Sequence, residues 1–393
     1  MTPAPWTPLS GAAHAVALEV LLRGPLPRSE LARRLDLSAG SLTRLAKPLL
    51  DSGLLVESGI GHESRAGHET RAGRPTRPLD IVADAHHFIG AKITHEEVYA
   101  VLTTLRAEVV ASARADLPGR DPASVVAVLR SLAAELVAGL GAQLAPEAPH
   151  ITAAGVSLGG RVADRATVIE APFLEWDDAV PLGAMLSDAL GMPAAVDNDL
   201  LALTRAEHWF GAARGHDRFA VLTVGAGIGY GLVVHDRVVD SPDAGVGLLG
   251  HFPLDPLGPL CPRGHRGCAT AMLSMASLRA AASVGLRRDV SYDDCLDLAA
   301  AGDPVARPLV MASGRALGRL IAAVANLTLT TEVVLTGEGI RLAEVAHEAL
   351  REGLAYDRDP RASAVSLDVR PVDFALWARG AAVTAIQAYV LGT

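Results

Sequence analysis

Along the first eighty residues the apolar positions recur three and four apart. AAHAVALEVLLRG has that spacing and stops at Gly24-Pro25, which predicts an amphipathic helix. PRSELARRLDL predicts a second helix, with Ser29 as its N-cap and Leu31, Ala32 and Leu35 on its apolar face. Leu37-Ser38-Ala39-Gly40 breaks it. SLTRLAKPLLDSG then predicts a third helix ending at Gly53. Its Leu42, Leu45 and Leu49 face inward and leave Ser41, Thr43, Arg44 and Lys47 outside. Pro48 predicts a kink or a tightened last turn. A short strand, LLVE, leads into the Gly- and Arg-rich stretch GHESRAGHETRAGRPTRP, which repeats itself imperfectly.

Beyond residue 80 strands and helices alternate. HFIGAKITHEEVYAVLTTL reads as two strands around a tight turn, and residues 123–144 as a long Ala/Leu helix. HITAAGVSLGGRV is a buried strand running into a glycine turn. MPAAVDNDLLALTRAEHWFGAA is strand, acidic turn and helix. RFAVLTVGAGIGYGLVVHDRVV is a glycine-rich hairpin; GRALGRLIAAVANLTL and EVVLTGEG give helix, strand and glycine turn. This is an α/β body whose strand ends carry glycine loops, where ligands bind in such folds.

A length of 393 residues suits two or three domains. No uninterrupted apolar run reaches the roughly 18–20 residues of a membrane span, and MTPAPWTPLSG has no basic leader, so a cytoplasmic protein with no membrane partner is expected. Three cysteines, Cys261, Cys268 and Cys295, suit thiols or a metal site better than a disulfide framework. The net charge of −9 is uneven: residues 1–80 carry +2 and the remainder −11. A basic head on an acidic body fits an anionic partner for the head.

Two helices joined by a short turn, with small polar and basic side chains exposed on the second, have the geometry that reads a DNA major groove. The strand and the Gly/Arg-rich stretch would supply a wing. Gly73-Arg74-Pro75 resembles hooks that enter a narrow minor groove. The expectation is a winged helix-turn-helix over residues 1–80, against an unrelated helical bundle. Its candidate contacts to double-stranded DNA are Ser38, Ser41, Thr43, Arg44 and Lys47, with Arg74 in the minor groove.

In the body, GVSLGGRV, VDND, LTVGAGIGYG, GLLGH with CPRGHRGC, and VVLTGEG occur in an order that resembles the ROK proteins (repressors, open reading frames and sugar kinases). The resemblance spans residues 81–393; with the head it covers the chain, as in the family's xylose- and N-acetylglucosamine-type repressors. It implies a two-lobed, actin-like sugar-kinase ATPase fold. The small lobe would take about residues 81–197 plus a C-terminal helix at about 375–393, and the large lobe about 198–374.

The resemblance also implies a site. Gly160, Arg161, Asn198, Asp199 and His251 match sugar-contact positions, and Asp199 matches the base that takes a proton from the sugar hydroxyl. Asp199 could equally cap the following helix. The first phosphate turn of such kinases runs roughly Asp-x-Gly-x-Thr; here it is Lys92-Ile93-Thr94-His95-Glu96. Lysine cannot ligate Mg²⁺, and Glu96 places an anion where phosphate must sit, so ATP and Mg²⁺ chemistry is not expected. The hairpin Gly225–Gly231 keeps its glycines but has Ala226 for the usual threonine. Those glycines serve either residual anion binding or simply a tight hairpin. Leu248 and Thr270 stand where the family has sugar-binding glutamates, which leaves a different sugar, a less hydroxylated one, or no tight ligand.

The family's zinc clasp is His plus Cys-x-Cys-Gly-x-x-Gly-Cys. His251, Cys261 and Cys268 match it, while Arg263 replaces the middle cysteine. Either His265 supplies the fourth ligand to Zn²⁺, or Arg263 pairs with a carboxylate and the loop closes without metal. Cys295 is expected in the core. The expected function is a sugar-sensing, DNA-binding regulator, a repressor by resemblance, acting as a homodimer or homotetramer. The alternatives are a kinase with a DNA-binding head, or a regulator that has lost its ligand.

Overall fold

A computed structural model describes residues 11–58, 77–143, 150–371 and 373–392. The head comprises α1 (Gly11–Arg23), α2 (Arg28–Arg34) and α3 (Ala39–Asp51), then β1 (Leu55–Glu57) antiparallel to β2 (Leu79–Ile81). Val16, Val20, Leu31, Leu42 and Leu49 are buried between the helices. Two expectations need correction. Ser29 does not cap α2; Pro27 holds the N-cap position with φ −58° and no side-chain cap, and Ser29 falls inside the helix. α3 begins earlier than the apolar pattern suggests, because Ser38 Oγ accepts the Ser41 N–H at 3.1 Å and caps it. Pro48 lies on the exposed face, and the helix runs on to Asp51. Arg74 and the HESRAG and HETRAG repeats lie outside the described residues.

The body begins with β3 (His87–Ile93), β4 (Glu97–Thr104), β5 (Val109–Asp116), α4 (Pro122–Gln143) and β6 (Ile151–Leu158). A small ribbon of β7 (Arg161–Ala163) and β8 (Thr167–Glu170) follows, then α5 (Leu182–Leu190), β9 (Ala194–Asn198) and α6 (Asp199–Phe210). The first sheet has the order β5-β4-β3-β6-β9. Its hairpins are antiparallel, and β3, β6 and β9 run parallel. Next come β10 (Arg218–Val224), β11 (Ile228–Val234), β12 (Arg237–Val238), α7 (Ala269–Leu273), α8 (Met275–Leu286), α9 (Tyr292–Ala300) and α10 (Ala306–Thr328). β13 (Glu332–Thr336), α11 (Arg341–Val345), α12 (His347–Tyr356) and β14 (Ser366–Val369) complete a second sheet of order β12-β11-β10-β13-β14. Cys295 is fully buried in its helical layer, and all three cysteines are free thiols.

α13 (Phe374–Leu391) returns to the first sheet. It approaches so closely that a Cβ on Gly90 of β3 or Gly155 of β6 would overlap the Ala378 or Ala381 backbone. α4, α10 and α13 each contain a window long and apolar enough to cross a membrane by length and composition, although charged residues interrupt every one of them. Alanine, valine and leucine keep their mean hydropathy high around scattered charged positions. The windows in α10 and α13 are 61% buried inside the fold, against 28% for α4.

Head and body share one apolar cluster. It runs from Val16, Val20 and Leu21 through Phe88 and Leu105 to Ile386 and Val390 of α13. Arg106, in the β4–β5 turn, fixes the joint: it donates to the Val20 carbonyl at 2.9 Å and the Leu21 carbonyl at 3.3 Å, and pairs with Asp80. Arg379 of α13 donates to the carbonyls of Ala107 at 2.7 Å and Phe210 at 3.1 Å. The C-terminal end of α6, α13, the β4–β5 turn and α1 are therefore hydrogen-bonded in series. Arg106→Ala should cost the joint about 1.5–3 kcal/mol, the range for hydrogen bonds to a charged group. Amide exchange should quicken in α1 while the second sheet keeps its protection.

Candidate functional site

A cavity of about 660 Å³ opens between the two sheets. Its floor is built where strands end: Lys92 on β3, Gly159-Gly160 after β6, and Asn198-Asp199 where β9 becomes α6. Asn198, not Asp199, caps α6: its Oδ1 accepts the N–H groups of Leu200 at 3.0 Å and Leu201 at 3.2 Å. Its Nδ2 donates to the Gly160 carbonyl at 2.9 Å. The asparagine amide is thus committed to the protein itself. Asp199 accepts the Leu200 N–H on one oxygen, and its other oxygen receives the Lys92 ammonium. The same ammonium sits 5.1 Å from the centre of the Trp377 ring. Lys92 therefore occupies one oxygen of the Asp199 carboxylate.

Glu96 does not face this cavity. It is exposed in the β3–β4 turn and is not among the lining residues, because Thr94 closes the turn by bonding to Glu97 and directs Glu96 outward. The acid beside the Gly225–Gly231 hairpin is Glu338, which the sequence did not single out. A Cβ on Gly225 would overlap its Oε2. An acid between two glycines at the end of β13, in LTGEG, was the available signal. Tyr230 also lines the cavity, its phenol pushed up to about 12 by burial, so it stays a neutral donor.

Arg161 is not among the residues that line the cavity. Its Nε donates to the Pro242 carbonyl at 3.3 Å, and Nη1 lies 3.9 Å from Glu170. Phe173 was also missed. Its carbonyl accepts from His95 Nδ1 at 2.7 Å, and His95 Nε2 accepts from Arg120 at 2.7 Å. Since arginine can only donate, the His95 proton lies on Nδ1. Arg120 also pairs with Glu175, and the Trp176 indole donates to the Arg120 carbonyl at 2.5 Å.

His251 stands apart from the cavity lining, in a cluster with Cys261, His265 and Cys268. One ligand atom from each lies within 4.8 Å of every other. His251 Nδ1 is 3.8 Å from Cys261 Sγ and 3.7 Å from Cys268 Sγ; His265 Nδ1 is 3.6 Å from Cys261 Sγ. A tetrahedral ion with bonds of roughly 2.0–2.3 Å needs donors separated by about that much, so this Cys₂His₂ set fits a zinc ion. Burial raises the Cys268 thiol and lowers the His251 imidazole, which keeps the imidazole lone pair available. Arg263 is exposed and forms no ion pair among the described residues, contrary to the metal-free alternative. The loop is shaped by its own backbone: Cys261 N–H donates to the His265 carbonyl at 2.9 Å, and Gly267, at φ +55°, lets it pass against Asp255.

On the head, Ser38 and Ser41 are occupied by the cap, and the Thr43 hydroxyl donates to the Ala39 carbonyl at 2.9 Å. Arg23, Arg28, Arg33, Arg34 and Arg77 all pair with Glu19, Glu30 or Glu57. Arg44 and Lys47 are exposed on α3 and have no acidic partner among the described residues.

The ROK family model matches residues 89–363. The DNA-binding transcriptional repressor Mlc of Escherichia coli is 23% identical over 350 residues, covering 86% of this chain and 83% of that protein. A glucokinase of Thermotoga maritima is 34% identical over 198 residues, covering 46% of this chain and 61% of the kinase. Among solved structures, a ROK family transcriptional regulator, a homologue of E. coli Mlc, superposes with a TM-score of 0.77 at 23% identity, over 97% of this chain and 98% of that one. With two mixed sheets around a cleft, and a family match across most of the body, the chain belongs to the ROK family.

Proposed function

We propose that this protein is a sugar-responsive transcriptional repressor. Residues 1–80 form a winged helix-turn-helix on double-stranded DNA, and residues 81–393 sense the sugar. The observation that carries the reading is the exposed face of α3, where Arg44 and Lys47 are free of acidic partners while five neighbouring arginines are paired. Unpaired cations on one helix face are what a phosphate backbone neutralises. Likeness to Mlc, a DNA-binding repressor, supports it. The protein acts in the cytoplasm as two or four copies, matching a two-fold operator. Zinc, held by His251, Cys261, His265 and Cys268, would brace the loop that leads from the cleft into α7.

Phosphoryl transfer is lost on this reading. Asp199 is held by Lys92, and the Glu338 carboxylate stands beside the glycine hairpin that would carry the nucleotide phosphates. Lys92→Asp alone should not restore ATP-dependent phosphorylation of any hexose, because Glu338 remains.

The test is titration with DNA from the gene's own upstream region against scrambled DNA at one salt concentration, with and without sugars. Specific binding weakened by a sugar is expected; equal affinity for both DNAs would remove the regulator reading for that region. Arg44→Ala and Lys47→Ala should each weaken binding to every sequence and lower the slope of log K against log salt by about one. A slope unchanged in both variants would take α3 off the DNA.

A further inference from the structure

Resting on the sugar-sensing reading, we propose that the ligand of the cleft is a glycoside with an apolar, preferably aromatic, aglycone rather than a free sugar. The polar groups at the floor are already satisfied by the protein: Asn198 by three hydrogen bonds, Asp199 by Lys92 and Leu200. The Thr270 hydroxyl is likewise committed, donating to the Gly250 carbonyl at 2.7 Å. A sugar ring seated on the floor would find few free partners among these three side chains, and a site built for hydroxyls is selective only through such partners.

What the cavity does offer is apolar surface held open to solvent. Phe173, Val239, Val246 and Leu248 all line it, at 53%, 49%, 37% and 68% exposure. Convergence of large exposed apolar side chains on one cavity marks a binding surface for apolar matter. The Phe173 backbone is held, since the chain from Glu175 through Arg120 and His95 ends on its carbonyl, and its ring lies against Gly159, where a Cβ would meet it at 3.0 Å. Asp199 is close by, with Oδ2 3.5 Å from the same point. An exposed aromatic ring next to Asp199 suits a ligand with a sugar ring at one end and a stacking group at the other. Gly245, at φ +87°, lets the strap carrying Val246 and Leu248 press against Gly160 and Asn198. A cavity of about 660 Å³ lies within the roughly 300–1,000 Å³ of drug-sized ligand sites, more than one sugar ring needs.

The experiment is calorimetric titration of the full-length protein with matched methyl and phenyl β-D-glucopyranosides, β-D-xylopyranosides and N-acetyl-β-D-glucosaminides. At least one phenyl glycoside should bind about tenfold or more tighter than its methyl counterpart, the return for burying one aromatic ring. Its heat-capacity change should be the more negative of the pair. Phe173→Ala should bring that ratio near one while leaving the methyl glycoside within about twofold, and Leu248→Glu should lower the ratio as well. Both side chains are exposed, so the variants are expected to fold. A ratio near one for every wild-type pair, or a ratio untouched by both substitutions, overturns the proposal while leaving sugar sensing in place. No binding by any glycoside overturns the proposal; the DNA titration with and without free sugars in the same preparation then decides separately whether sugar sensing and the regulator reading stand.

Discussion

Lys92→Met is expected to destabilise the protein by about 2–4 kcal/mol. Removing one member of a buried ion pair costs about 3–5 kcal/mol, because the partner is left charged without compensation. Lys92 is 9% exposed and Asp199 19%, so water relieves part of that cost. The urea midpoint should fall with little change in slope, and Trp377 emission should shift as the cation leaves its ring. Asp199→Asn should be destabilising in the same way. The double variant Lys92→Met/Asp199→Asn should lose clearly less than the two single losses combined. Simple additivity would mean that the two side chains do not act as a pair and that Lys92 does not occupy the Asp199 carboxylate.

Removal of a thiolate should have a still larger effect on metal binding. The purified chain is expected to carry one zinc per copy. Cys268→Ser should weaken binding by at least about 100-fold, since even partners outside the ligand set are worth about 10–100-fold. His265→Ala should do the same, and is the sharper test, because His265 takes the role that Arg263 cannot. Retention of stoichiometric zinc by His265→Ala would exclude it as the fourth ligand. Global unfolding is not expected on chelation, unlike in zinc fingers that fold only with metal. The loop already has backbone hydrogen bonds of its own, including Gly267 N–H to the Pro259 carbonyl at 2.7 Å.

The alternation of strands and helices was legible because each periodic segment buries the face its spacing indicates. Leu42 and Leu49, for example, are both within 2% of full burial. The order of the glycine landmarks located the cleft. What the sequence hid were facts of direction. Glu96 and Glu338 are both acids in turns, and only the closing bonds of Thr94 show that one points away from the cavity. Asn198 and Asp199 are neighbours with similar capping ability, and the backbone of β9 decides that the asparagine caps. Phe173 gave no periodic signal, because it lies in a short helical turn between β8 and α5 and is placed by His95, 78 positions earlier. The fourth member of the Cys/His cluster was visible only as proximity in sequence; its distances required the folded loop.

The shared core of head and body bears on how such regulators can be recombined. A head joined by a bare tether could be exchanged between relatives by cutting the gene at its boundary. Here a cut near residue 80 would divide Arg106 from the α1 carbonyls it holds, and separate Val16, Val20 and Leu21 from the α13 side chains in the same cluster. A graft would have to carry the β4–β5 turn and the C-terminal helix with the head, segments nearly three hundred residues apart. On the proposed reading, target choice and ligand choice would therefore not be separable modules, and a chimera that keeps only the first eighty residues should be insoluble rather than merely unresponsive.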